Sequence, residues 1–229
     1  MRYVLGSRAS IGGVLGSGRG GAAGAWYLAG GVSAANCVAA YAPKGAASLA
    51  ASYTNLANPG TYTAAPGTAP TFDTATGWTF AAASSQYLTT GITPGSTSWS
   101  AIVRFSDTSG GGEYCLLGAY TNSTTGFLIQ AKTGTNHQYG NGGLLAKAGA
   151  IASGVLAFAG QTAYRDGSAE TGTIAAGNVP SLQIYIGALN YQNGTAIQYE
   201  AGKIQAIAIY NVTLDAATVA AISTAMSLL

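Results

Sequence analysis

From Gly77 to Tyr210 the chain is divided into short apolar stretches by Gly- and Asn-bearing turn signals. They recur at roughly the 8–12-residue spacing of sandwich strands, with no helices alternating between them. WSAIVRFS (99–106) alternates cleanly: Trp99, Ala101, Val103 and Phe105 fall on one face, Ser100, Ile102, Arg104 and Ser106 on the other. TGWTFAAASSQYLTTGI (76–92) supplies two short strands, one carrying Trp78 and Phe80, the other Tyr87 and Leu88. YCLLGAY and GFLIQAK read as a hairpin around the polar TNSTT, and HQYGNGG (137–143) reads as the next turn. GVLAFAGQTAYRDGSAETGT (154–173) reads as two strands joined at Asp166-Gly167, a pair that tolerates positive φ. LQIYIGAL adds a strand before a loop at Asn193-Gly194. The implied fold is all-β, two antiparallel sheets packed as a sandwich, with a barrel as the alternative.

Ahead of these strands, residues 1–30 form a Gly-rich arm whose charges are Arg2, Arg8 and Arg19. Such a segment is costly to order, because Gly loses more freedom on folding than any other residue. Neighbouring subunits, rather than the domain's own surface, are expected to hold it, the three arginines pairing with acidic groups on a partner. Residues 31–229 then make the domain. Val32 to Leu56 is Ala-rich but cut by Pro43 and Gly45, so only short helical turns or strands are expected there. Residues 57–76 read as turn and loop, punctuated by Pro59, Pro66 and Pro70.

GKIQAIAIYNVTLDAATVAAIS (202–223) holds a strand, a turn and a short helix. Alternation places Ile204, Ala206, Ala208 and Tyr210 on one face and Lys203, Gln205, Ile207 and Ile209 on the other. Asp215 stands as an N-cap, Leu214 and Val219 have hydrophobic-staple spacing, and Val219, Ile222 and Met226 form one apolar stripe. The helix is expected to lie on the sandwich and lock the last strand.

These residues resemble the C-terminal signature of the laminin-G-like, concanavalin A-like lectin/glucanase superfamily. That signature is a glycine, a strand of the form K-I-x-x-I-x-I-Y, an Asn-x-x-Leu turn and a capped helix. FAAASSQYL (80–88), with Ala where the family usually has Gly, AYRDG (163–167) and IYIGAL (184–189) resemble further pieces of the family in the same order. The resemblance spans residues 50–225 and implies a jelly-roll sandwich of two curved antiparallel sheets. It leaves function open, since the fold hosts glycan binding, adhesion, catalysis and purely structural roles.

Charge narrows the choice. Only 7% of residues are charged and the net charge is +2, against roughly 25% charged residues in an average domain. The basic residues form no cluster that would track phosphates, so no nucleic-acid partner is expected. Apolar runs fall far short of the ~20 residues of a membrane-spanning helix, so no membrane insertion is expected. MRYVLGSRASIGGVLGSGRG is basic but lacks an apolar run and does not read as a secretory signal. Cys37 and Cys115 are expected as two buried thiols, with a single disulfide as the alternative.

For catalysis, the resemblance implies an E-x-D-x-x-E strand in the family's glucanases, and that spacing is absent. Asp166 is explained as a turn residue and Asp215 as a cap. The single histidine, His137, allows neither a triad nor a multi-histidine metal site. No cofactor is expected; were calcium held at loops, as in some family members, Asp107, Glu113 or Glu200 would be the carboxylates available.

Glycans are held by aromatic faces and by amide hydrogen bonds. Tyr120, Asn122, His137, Tyr139, Asn141, Tyr191 and Asn193 fall in stretches read as loops at one end of the sandwich, and make the candidate sugar site. The competing reading gives the tyrosines to sheet packing and subunit contacts. The functional expectation is a non-enzymatic surface protein of a virion, of the bacteriophage kind: a capsid decoration, head fibre or tail-associated subunit. Its partners would be copies of itself, other virion proteins and host-surface glycans. A free carbohydrate-binding lectin-like module is the alternative.

Overall fold

The computed structural model describes residues 25–229. In chain order the strands are β1 (Cys37–Tyr41), β2 (Ala65–Thr68), β3 (Thr71–Asp73), β4 (Gly77–Thr79), β5 (Tyr87–Thr89), β6 (Ser100–Ser106), β7 (Tyr114–Asn122) and β8 (Thr125–Thr133). There follow β9 (Asn136–Ala148), β10 (Gly154–Ala159), β11 (Thr162–Arg165), β12 (Ser168–Ala169), β13 (Tyr185–Ile186), β14 (Leu189–Tyr191), β15 (Thr195–Ile197) and β16 (Lys203–Tyr210). Helix α1 (Leu49–Ser52) is one turn long, and α2 (Ala216–Ser227) follows the last strand. One sheet runs β12-β11-β10-β6-β16-β4-β3, with β1 also paired to β16. The other runs β15-β14-β7-β13-β5-β2, with β8 on the far side of β7 and β9 beyond it. Pairing between the named strands is antiparallel except between β14 and β7, and an isolated parallel bridge joins Thr125 to Asn178. The two-sheet sandwich with a short C-terminal helix is therefore the observed fold. Among the described residues no helix is long and apolar enough to cross a membrane.

Between the sheets lies a core that includes Phe105, Leu116, Phe127, Phe158, Ile186 and Ile207, with Phe127 and Phe158 edge to face at 4.8 Å. Strand β16 departs from simple alternation. Its register against β6 shifts between Ile204 and Ala206, a bulge at Gln205. Two residues of β16 there oppose one of β6, which resets the phase. Ile204, Ile207 and Ile209 consequently all enter the inter-sheet core, while Ala206, Ala208 and Tyr210 face outward.

On that outward side sits a second core, where Leu214, Val219, Ile222 and Met226 of the helical segment meet Ile102, Val155 and the small side chains of β16. Asp215 caps the helix as expected, its Oδ1 accepting from the Thr218 N–H at 2.7 Å. Arg104, on the outer face of β6, donates to the carbonyls of Met226 and Leu229 and ties the helix end to the sheet. A pair of tight turns, Trp26–Gly31, packs here too. Trp26 is only 6% exposed, and the Tyr210 hydroxyl donates to the Tyr27 carbonyl at 2.7 Å. Residues 26–30, grouped by composition with the arm, thus pack against the sandwich, whereas Arg2, Arg8 and Arg19 lie outside the described residues.

Three local readings change. HQYGNGG is not a turn but the first half of the long strand β9. The stretch after Gly154 makes three strands instead of two, because Gly160, at φ +55°, turns the chain between β10 and β11 before the expected turn at Asp166-Gly167. Short strands β2 and β3 occupy part of the segment read as loop. Cys37 and Cys115 are both free and buried.

Gly30 has φ +78°, and a β-carbon there would stand 2.8 Å from Thr218 Cα on helix α2; Gly31 has φ +83° with open space around it. Gly31→Ala is expected to cost ~1 kcal/mol for the left-handed backbone alone. Gly30→Ala is expected to cost at least ~2 kcal/mol more, since helix backbone must move. Denaturant midpoints measure both, and equal losses would show that the turn is not seated on the helix.

Candidate functional site

Helix α2 and the 26–31 turns cover the outer face of the first sheet. No described helix covers the outer face of the second. On β8 the alternation sends Phe127, Ile129 and Ala131 inward, leaving Gly126, Leu128 and Gln130 outward. Glycines on the flanking strands let the leucines lie flat: a β-carbon on Gly118 would come 2.6 Å from Leu189 Cδ1, and one on Gly140 would come 3.0 Å from both Leu128 and Leu144. The result is a shallow groove of about 140 Å³ lined by the half-buried Leu144 and underlain by Leu128 and Leu189, which are 1% and 3% exposed.

Its rim is polar and already connected. Glu113 accepts from the Thr133 hydroxyl at 3.2 Å and, through its other oxygen, from the Gln198 amide. The Gln198 carbonyl accepts in turn from Gln130 Nε2 at 2.5 Å. Gln138 lines the opposite wall, and Tyr120 closes one end. Tyr120 stacks on Tyr191 with ring centroids 5.9 Å apart and planes 17° off parallel. Burial, and then the neighbouring Tyr191, raise the Tyr120 phenol above its ordinary value, so it stays a neutral hydroxyl. A separate aromatic cluster holds Tyr185, 6% exposed and 4.9 Å from Tyr87, which lies 6.2 Å from Tyr199.

The structure brings together four of the seven residues singled out for a sugar site. Because β14 runs parallel to β7 with Tyr191 opposite Tyr120, the chain leaves both strands at the same end. Asn122 and Asn193 are exposed in the turns that follow, Asn122 accepting from the Thr124 N–H and hydroxyl. His137, Tyr139 and Asn141 lie elsewhere, on the inward face of β9. His137 is 2% exposed, with Nδ1 2.6 Å from the Gly149 carbonyl and Nε2 3.1 Å from both Glu170 oxygens. The Tyr139 hydroxyl donates to the Tyr164 carbonyl, and the Asn141 amide donates to the carbonyls of Thr97, Trp99 and Gly160. Their outward neighbour Gln138 reaches the groove instead. Gln130, Gln138 and Gln198 are not among the residues the sequence singles out, and Glu113 is singled out only as a carboxylate for calcium. A Gln two residues past an outward Leu on a strand was the available signal for Gln130.

Asp107, Glu113 and Glu200 do not converge. Asp107 pairs with Lys203 at 2.7 Å, and Glu113 belongs to the groove. Among the described residues no group of three or more His, Cys, Asp or Glu is placed to hold a metal ion. Glu200 is fully buried; its Oε1 accepts from the Thr108 hydroxyl at 2.6 Å and its Oε2 has no partner. That bond anchors the 107–113 loop, which delivers Glu113 to the groove. Burial pushes the Glu200 carboxyl up to about 7, and pushes the thiols up as well, Cys37 to about 12. A larger hollow of about 510 Å³ lies beside Trp26, but its walls of Ala42, Ala51, Leu56 and Leu229 offer no row of convergent amides.

No protein-family model matches the chain, and no curated protein matches it. Solved structures match it in shape. A mutant of Trypanosoma rangeli sialidase displaying trans-sialidase activity superposes with a TM-score of 0.55 over 86% of this chain and 34% of that one, at 14% identity. A mutant of HCR/D superposes with a TM-score of 0.53 over 83% of this chain and 51% of that one, at 9% identity. The chain spans between about a third and a half of these neighbours' length. At such identities the likeness is one of fold, a β-sandwich.

The Glu200 carboxyl holds its proton more tightly folded than unfolded. Its contribution is therefore fully present below about 4.5, its ordinary value, and is lost as pH rises through about 7. Raising the pH from 5 to 8 is expected to remove roughly 3 kcal/mol of stability through this group. Glu200→Gln, which keeps an acceptor for Thr108, should flatten that dependence in denaturant titrations. An unchanged slope in the variant would refute the assignment.

Proposed function

We propose that the chain is a non-enzymatic glycan-binding sandwich carried on the surface of a bacteriophage virion. There it would assemble with copies of itself and other virion proteins, and contact host-surface glycans. The observation that carries the glycan part is the groove: the half-buried Leu144 above the buried Leu128, Leu189 and Gln130, a rim of Glu113, Gln198 and Gln138, and the stacked Tyr120–Tyr191 pair. Sugars present an apolar ring face and a belt of hydroxyls, and this surface answers both. At about 140 Å³ the groove is smaller than the ~300–1,000 Å³ of sites that enclose a whole ligand, and suits one ring lying on the sheet. A single carboxylate lines it, where glycoside hydrolysis generally employs a pair. That one shape neighbour is a sialidase, an enzyme acting on glycans, supports the reading further.

The virion part rests on composition: few charges and a Gly-rich first thirty residues with Arg2, Arg8 and Arg19. Deleting residues 2–24 is expected to leave the sandwich folded and to abolish incorporation into particles. Full incorporation of the truncated chain would overturn anchoring by the arm, and failure of the unaltered chain to incorporate would return the protein to the alternative of a free lectin-like module.

Tyr191→Ala and Tyr120→Ala are each expected to weaken glycan binding about 10-fold, a loss of the order of one aromatic contact. Calorimetry with the best ligand from a glycan array measures this, with thermal melts to confirm folding. Chelation of divalent cations should leave the affinity unchanged. Undiminished binding by both tyrosine variants would rule out the groove as the site.

A further inference from the structure

We infer that the groove selects uncharged glycans: neutral hexose or N-acetylhexosamine residues, and not sialic, uronic or sulfated sugars. This rests on the glycan reading of the groove and adds the ligand class. Among the described residues, Glu113 is the one charged side chain in the lining. Its two oxygens are fixed by neutral donors, the Thr133 hydroxyl and the Gln198 amide. No guanidinium or ammonium shares the rim.

The nearest cation on the same strand, Lys132, is turned to the 107–113 loop. Its ammonium donates to the Gly110 carbonyl and lies 5.7 Å from the centroid of the Tyr114 ring. Arg104 and Arg165 stand on the other sheet, on β6 and β11. A sugar hydroxyl can donate to Glu113 or to an amide carbonyl and accept from an amide N–H, so a neutral ring can satisfy the rim in either sense. A carboxylate or sulfate brings acceptors and a negative charge. It would face Glu113 with no counter-charge to replace its lost water.

The test is a glycan array of neutral, sialylated, uronate-containing and sulfated oligosaccharides probed with the full chain. Calorimetry follows on the best neutral ligand and its acidic counterpart. The neutral ligand is expected to bind about 10-fold or more tightly than its acidic counterpart at low salt, the gap narrowing as salt screens it. Glu113→Gln keeps the shape and removes the charge, and should close most of that gap by improving the acidic ligand. Equal or tighter binding of acidic glycans by the unaltered chain would overturn this inference and leave the glycan reading standing. A neutral preference unchanged in Glu113→Gln would overturn the role of Glu113. Binding of no class at all would overturn the glycan reading, and the inference with it.

Discussion

Strand β16 is buried on both faces, and the rest of the architecture follows from how it manages this. The bulge at Gln205 turns three isoleucines into the inter-sheet core, each contributing about 1.5–3 kcal/mol by leaving water. The other face then carries Ala206 and Ala208, small enough for helix α2 to approach closely, while Tyr210 reaches past them to the Tyr27 carbonyl. A larger residue at 206 or 208 would lift the helix, and with it Trp26 and the Gly30 turn. The second sheet's outer face carries no described helix, and its outward Cys115, Leu128 and Leu189 are buried against Tyr120, Leu144 and Ile197 of the same sheet.

That second face is built on the opposite principle. Where the first sheet opposes alanines to a helix, the second sets Gly118 and Gly140 beside leucines of its own strands, so the leucines fold down onto the sheet. Leu128 and Leu189 are thereby buried and Leu144 is left half-buried, so no apolar patch protrudes. Amides raised at its edges are tied to one another before any ligand arrives, which lowers the entropy lost on binding. The 107–113 loop belongs to the same device. It is anchored below by the buried Glu200–Thr108 bond and above by Lys132 on the Gly110 carbonyl, so Glu113 is held rather than free to swing.

The sandwich, the capped helix and the staple of Leu214 and Val219 were legible because they rest on local rules: alternation, turn residues and capping. The phase of β16 was not, because a bulge leaves no mark on apolar periodicity when both faces are apolar. Nor was the burial of His137 and Asn141. Asn-Gly and a lone histidine are turn-like in isolation, and β9 accommodates Gly142 at φ +99° without ending. The His137 ring nitrogens and the Asn141 Nδ2 meet carbonyls and a carboxylate from distant segments, partners that no sequence window contains, while Asn141 Oδ1 is left without one. Tyr120 and Tyr191 stand among seven candidates in the sequence, and the parallel β14–β7 contact that stacks these two on each other is a tertiary fact.

The distribution of the acidic side chains makes the groove distinctive in a chain so short of charge. Asp73, Asp166 and Asp215 accept from nearby or cross-strand backbone N–H groups. Asp107 meets Lys203, Glu170 meets His137, and Glu200 is buried on Thr108. Each of these six terminates a turn, caps a helix or joins two segments. Glu113 also joins segments, accepting from the Thr133 hydroxyl and the Gln198 amide, and what sets it apart from the other six is its place: it is exposed and it is the acidic side chain in the groove lining.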